Sequence, residues 1–452
     1  MMKNRWTLHV NDFGKIASAD ITVSPITLFV GDNNSGKSYL MTLLYALLNI
    51  RFYHQKYDFC EESIEYITCA NWLKERVAAS QTNASKAVMP ESVMEAFITL
   101  LNKILSKNKG RIIKYAFNSN VEIGELDISF QNINKISICV EYEETHEGGR
   151  ASYRLCIAED YVKARSMSAD IKFFIGFILE YFIKYGIKRT APSDCVFLPT
   201  SRTGFLLTYK SLVQSSIAEA YDTNDLSEAI MPLTRPCSDF LKNLAAIDPM
   251  IYTEKYDKIL QHIEKRMVRG HVSVSADAPQ KIITYRPEYT DDDLPMHLTS
   301  GVVTELTPLL LMLKYHSPME TLFIEEPEMG LHPALQHEMA KVITELCSNG
   351  IFLFVTTHSD TILQHINNMI KLSNRGDKEQ ELLMKEYGYT RDDVVSCADV
   401  AMYQFDVNKK TGKTYITPLK CTEFGYVVPT FNNALAKLLK ESQHMEGDND
   451  EL

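Results

Sequence analysis

Paired cysteines are missing from this 452-residue chain: nine cysteines lie scattered, an odd number, and none forms a C-x-x-C pair. That pattern excludes a zinc site of paired thiolates and a disulfide framework, and predicts reduced thiols in a cytoplasmic protein. Long apolar runs are missing too. The longest, Ile171 to Ile183, contains Lys172 and Glu180. It is too short and too charged to span a bilayer, so no membrane association is expected, and it predicts a helix packed inside the protein or against a partner. Positive charge is in deficit, with a net charge of -11. This balance argues against a protein that coats nucleic acid, which needs a dense basic face. DNA is therefore not indicated by charge, and the one basic stripe, Lys103, Lys107, Lys109, Arg111 and Lys114, reads as a solvated helix end and loop. No internal repeat and no sustained heptad run is present, and the polar start from Met1 to Arg5 shows no signal peptide.

What is present is the balance of a globular protein, 45% apolar and 23% charged, with length for two or three domains. Trp6 to Val10, Ile16 to Val23 and Ile26 to Val30 read as strands, the last a near-continuous apolar run of the kind buried on both faces of a parallel sheet. Leu40, Leu43, Leu44, Leu47 and Leu48 then recur at helical spacing. Residues 51–110 read as helical. From 119 to 157 alternation predicts antiparallel strands, at Val121 to Ile123, Ile136 to Val140 and Tyr153 to Leu155, with a turn at Gly148-Gly149. Residues 160–188 and 205–268 read as helix, Val196 to Leu198 as a short buried strand, and 271–286 as two strands. From Thr304 the strand–helix alternation resumes, with buried strands at 321–324 and 351–355 and a hairpin turning at Asn408 to Gly412. The tail from Glu446 is acidic and is expected to be disordered. The reading is of an α/β core split in sequence: 1–50 and 270–425 form one unit, 51–269 is a mainly helical insertion with an antiparallel β segment, and 426–452 is a terminal helix and tail.

Gly31-Asp-Asn-Asn-Ser-Gly36-Lys37-Ser38 matches G-x-x-x-x-G-K-[ST]. Such a loop bends back so that its N–H groups point at phosphate oxygens, with Lys37 reaching the β- and γ-phosphates and Ser38 ligating magnesium. It follows a buried strand and opens an amphipathic helix, the context that the mechanism requires. The apolar strand Thr321 to Ile324 ends in Glu325-Glu326-Pro327. One carboxylate there is assigned to magnesium, Glu325, and its neighbour Glu326 to the attacking water. Read alone, the pair fits an exposed acidic turn equally well. A second buried strand, Ile351 to Val355, runs into Thr-Thr-His358-Ser, placing His358 with Gly31 and Glu325 at carboxyl strand ends, where α/β sheets hold ligands. Leu298-Thr-Ser300-Gly301 precedes a leucine-rich helix, and Ser300 suits an N-cap. One chain already has a phosphate cradle, so this second anion-binding end is read as serving a facing copy. Pro308 should kink that helix or displace its start.

Taken in order, these residues resemble the ABC-type ATPases, and most closely the branch with RecF, the double-strand-break repair ATPases, the structural-maintenance proteins and the overcoming-lysogenization-defect family. Gly31 to Ser38 resembles the Walker A loop, Ser300-Gly301 the signature motif, and Leu322 to Glu326 Walker B. Glu328 to Pro333 resembles the D-loop and Thr357-His358-Ser359 the switch histidine. The resemblance covers 1–50 and 270–425. It implies an ABC-type P-loop head with a mixed sheet flanked by helices, an antiparallel β lobe and a helical insertion. It implies a head-to-tail homodimer binding two ATP molecules with Mg2+. Gly31, Asn33, Asn34, Ser35, Gly36, Lys37, Ser38 and Tyr39 of one copy then face Ser300 and Gly301 of the other. Glu326, His358 and Lys37 are the implied catalytic residues, and Ser38 and Glu325 the metal ligands. Two departures stand out: Glu325 replaces the usual Asp, and Pro199-Thr-Ser-Arg202 stands where a Gln is usual, with Arg202 a candidate phosphate or partner contact. The implied activity is ATP hydrolysis that regulates a separate effector encoded nearby, a nuclease or toxin, in bacterial anti-phage defence. The alternatives are a RecF-like DNA-maintenance ATPase, which the acidic balance disfavours, and a transporter cassette, for which the insertion is too large.

Overall fold

The computed structural model describes residues 5–52, 57–81, 84–131, 133, 135–144, 151–157, 162–166, 170–184, 195–222, 233–275, 281–316, 319–428, 440–442 and 445. Its strands are β1 (Arg5–Phe13), β2 (Ile16–Thr22), β3 (Ile26–Gly31), β4 (Ser85–Val88), β5 (Glu125–Gln131), β6 (Ser137–Glu144), β7 (Ala151–Ile157), β8 (Val162–Ser166), β9 (Cys195–Leu198), β10 (Gly270–Val274), β11 (Ile283–Pro287), β12 (Leu294–Pro295), β13 (Thr321–Glu325), β14 (Phe352–Thr356), β15 (Val400–Val407) and β16 (Thr414–Pro418). The helices are α1 (Lys37–Leu48), α2 (Ile64–Ser80), α3 (Glu91–Phe117), α4 (Ile171–Ile183), α5 (Arg202–Asp222), α6 (Arg235–Ala246), α7 (Asp257–His262), α8 (Gly301–Tyr315), α9 (Pro333–Ser348), α10 (Asp360–Ser373) and α11 (Asp377–Tyr387).

A nine-stranded mixed sheet in the order β5-β1-β2-β16-β15-β3-β14-β13-β9 organises the α/β fold, beside antiparallel sheets β4-β6-β7-β8 and β10-β11-β12. From β15 to β9 neighbours run parallel. The β5-β1-β2 side is antiparallel. Burial on both faces explains the unbroken apolar strands. Phe29, Phe197, Phe323 and Phe354 point into one core, with α1 to α4. Leu28, Val30, Leu322, Ile324, Leu353 and Val355 point into the other, with α5 to α10. Phe323 and Phe354 stack at 4.4 Å, which locks the β13–β14 register on the first face. The stretch 51–269 feeds two strands into this sheet, β5 against β1 and β9 against β13.

Several local expectations change. Val121 to Ile123 is loop, because Gly14 N–H takes the Glu122 carbonyl and the chain turns into β5 only at Glu125. Within 160–188, β8 precedes α4, since Val162 to Ser166 pair with β7. Helix α8 runs through Pro308 from a start at Gly301, so the proline does not displace it; burial of Leu306, Leu309, Leu310 and Leu313 outweighs one missing hydrogen bond. The basic stripe is partly consumed: Lys103 pairs with Glu65 at 2.6 Å, Lys107 with Asp58 at 4.0 Å, and Lys109 donates to the Gly124 carbonyl. Cys397 and Cys421 form a disulfide with Cα atoms 5.8 Å apart, against the expectation of reduced thiols. The β15–β16 hairpin brings them together, one just before its first strand and one just after its second. The acidic tail from Glu446 and the Gly148-Gly149 turn lie outside the described residues.

Candidate functional site

The carboxyl ends of β3, β14 and β13 lie side by side, because Thr356 pairs with Phe29 and Glu325 with Thr356. At Gly31 (φ +134°) a Cβ would sit 2.4 Å from the Phe405 carbonyl, so the parallel neighbour β15 admits only glycine. Gly36 (φ +97°) caps α1. No side chain caps that helix and no acidic residue lies in its first turn, so its leading N–H groups point at a site suited to an anion. A cavity of about 470 Å³ opens there, lined by Asn33 to Tyr39, by Glu326, Thr356 and His358, and by Phe13 to Ile16 with Asn120 and Val121.

Lys37 is buried, and its Nζ donates to the carbonyls of Gly31 (2.9 Å) and Asp32 (2.7 Å). Burial pushes its ammonium down to about 8, with Glu326, Asp32 and Glu328 only partly resisting. Glu326 follows β13 in the left-handed region (φ +45°), with its N–H bonded to the Thr356 carbonyl at 2.9 Å. That backbone costs about 1–3 kcal/mol in a non-glycine residue and turns Glu326 off the strand's alternation into the cavity. Burial and the adjacent Glu325 push its carboxyl upward, against the pull of Lys37 and Arg202. Glu325 is buried behind it and accepts from the Thr200 hydroxyl at 3.2 Å. His358 is half-buried, and burial with the Lys37 charge lowers it below the ordinary histidine range, so it is neutral at pH 7. Its N–H donates to Glu328 Oε1 at 2.5 Å, and Thr357 Oγ1 donates to Glu328 Oε2 at 2.9 Å. Burial pushes that carboxyl up in turn.

Ser38 and Glu326 offer hard oxygen donors to the cavity, with Glu325 buried directly behind Glu326 at the end of β13, a set that fits Mg2+ held through a few protein oxygens plus phosphate. Phe13, Tyr39 and Phe117 form an aromatic wall, with Tyr39 5.2 Å from Phe117 and 6.0 Å from Phe13, and Tyr39 is exposed. Thus Asn33 to Tyr39, Glu326 and His358 converge, with Gly31 and Glu325 directly behind them. Ser300 and Gly301 do not line this cavity; both are exposed, with Ser300 at the N-cap of α8 and its hydroxyl making no cap bond. Arg202 is also outside it: it is buried, with its guanidinium on Glu305 and on the Glu325 and Glu326 carbonyls. Lys15, whose Nζ donates to Asn34 Oδ1 at 3.0 Å, joins the site without belonging to any of the motifs, as do Asn120 and Val121, from a stretch whose alternation reads as strand. Gly14-Lys15 at the β1–β2 turn was the available signal.

Residues 6–175 and 205–363 match the family described as AAA ATPase domain. A search of curated proteins gives no match. Three solved structures give low similarity. The Smc head bound to the C-winged helix domain of ScpA shares 12% identity over 92% of this chain and 97% of its own, with a TM-score of 0.37. The SMC head domain from Thermotoga maritima shares 11% over 93% and 100%, with a TM-score of 0.34. The Smc head with an extended coiled coil bound to the C-terminal domain of ScpA, derived from Pyrococcus furiosus, shares 11% over 97% and 98%, with a TM-score of 0.37. Among the described residues no helix is long and apolar enough to cross a membrane.

Proposed function

This chain belongs to the AAA ATPase domain family, and from that premise we propose that it binds and hydrolyses MgATP in the cavity at Lys37, in sites completed by a second copy. One observation carries the reading: the Gly31–Ser38 loop, Glu326 and His358 converge on a single cavity from three adjacent strand ends.

In this reading the N–H groups at the start of α1 hold the β-phosphate, and Lys37 leaves its loop carbonyls for the β- and γ-phosphates. Tyr39 offers its exposed face toward the base. Ser38, with Glu325 behind it, would hold Mg2+, whose charge would neutralise that of the phosphates. Glu326, turned into the cavity, orients the attacking water and draws its proton as the γ-phosphoryl passes from the β–γ bridging oxygen to the water oxygen and ADP leaves. His358 donates a hydrogen bond to the γ-phosphate, and Glu328 fixes its backbone. Ser300-Gly301 lies on the exposed start of α8, outside the cavity of its own chain, which supports its serving the triphosphate of a partner copy. The motif resemblance further supports a role in which ATP-driven dimerisation controls a separate effector, a nuclease or toxin, in bacterial anti-phage defence.

The test is light scattering with and without MgATP. Wild-type protein is expected to dimerise on ATP, whereas Ser300→Arg binds the nucleotide and stays monomeric. An Ser300→Arg protein that dimerises and hydrolyses ATP like wild type would refute the shared site.

A further inference from the structure

Arg202 opens α5 with a side chain only 4% exposed, and all three of its guanidinium nitrogens are engaged. Nε donates to Glu305 Oε2 at 3.1 Å, Nη1 to the Glu325 carbonyl at 2.7 Å, and Nη2 to the Glu326 carbonyl at 3.1 Å. The first acceptor lies on α8 and the other two at the end of β13. A second bond repeats the link to α8, between Thr203 Oγ1 and Thr304 Oγ1 at 2.9 Å. Glu305 lies just over one turn from the Ser300-Gly301 cap on the same helix. Glu326 is gripped on both sides of its strained residue, its N–H by Thr356 and its carbonyl by Arg202.

We propose that Arg202 is a positioning residue that couples the seating of the α8 cap on a partner copy to the backbone of Glu326, and so adjusts the water-orienting carboxylate when the dimer forms. The inference rests on the ATPase reading given above. A helix moves as a rigid body, so displacing its cap displaces Glu305, and the guanidinium fork carries that shift to two consecutive carbonyls. Lysine is a point charge and cannot hold three acceptors set around a plane. A purely structural ion pair would instead cost stability and affect binding and turnover alike.

The experiment uses the full chain with Arg202→Lys, Glu305→Ala and the double substitution. Affinity is read with a fluorescent ATP analogue, and kcat, KM and thermal midpoint are measured. Arg202→Lys should keep nucleotide affinity within about twofold while kcat falls about tenfold to a hundredfold, the scale of small misplacement at a reacting centre. The double variant should be no slower than the worse single one, because both break one link. A wild-type kcat in Arg202→Lys, a parallel loss of affinity and kcat, or single losses that multiply in the double variant would each overturn the proposal. Should Arg202→Lys not fold, Glu305→Ala decides alone by the same split. A wild-type protein without ATPase activity would instead sink the ATPase reading.

Discussion

The charge state of Lys37 gives a prediction that can be worked from the structure. Its buried ammonium titrates near 8 before nucleotide arrives. Only the protonated form attracts a triphosphate, and a bound triphosphate favours that form further. Nucleotide affinity must therefore fall as pH rises through about 8, and not at the 10.5 of an ordinary lysine. Between pH 7 and pH 9 the charged fraction drops from about nine-tenths to about one-tenth, which weakens binding about tenfold, or ~1.4 kcal/mol. Titration with a fluorescent non-hydrolysable ATP analogue across that range, at constant Mg2+ and ionic strength, reads this slope. Lys37→Arg supplies the control, because a guanidinium keeps its charge throughout and should flatten the curve. Equal affinities at pH 7 and pH 9 in the wild type would refute the reasoning, since the buried lysine would then not be the group that meets phosphate.

Glu326→Gln should bind ATP, accumulate as a nucleotide-loaded dimer by light scattering, and turn over about a hundredfold or more slowly; a normal rate would reassign the water-orienting role. His262 bridges Glu338 at 2.7 Å and Glu345 at 3.0 Å, tying α7 to α9. Burial alone would lower it, but the two carboxylates outweigh burial and hold it at about 9. Since the folded value is raised, this stabilisation is complete below the unfolded value near 6.5 and disappears as pH rises through 9. Discounted for solvent screening it amounts to about 2 kcal/mol. His262→Gln should therefore lower the urea midpoint at pH 6 and converge with wild type above pH 9.5; equal midpoints at pH 6 would refute it.

The loop at Gly31 to Ser38 and the two carboxyl strand ends were legible because each is written in a few consecutive residues. Apolar strand, glycine and lysine sit within one short window, and the leucine spacing of α1 follows directly. The β15–β16 hairpin was legible too, and flanking residues of a hairpin meet, as Cys397 and Cys421 do. Alternation at Val121 to Ile123 misled because a three-residue pattern does not distinguish a strand from a loop held by a neighbour's N–H.

By itself the sequence determined the phosphate loop, the buried central strands and the acidic end of β13. Those depend on backbone preferences and side-chain alternation over a handful of residues. Only the tertiary structure decided that β5 and β9 join the same sheet, that Glu326 and not Glu325 enters the cavity, and that Arg202 clasps α8 to β13. The physical reason is range. A guanidinium fork can satisfy any nearby carbonyls, and which ones are near is fixed by packing between segments more than a hundred residues apart.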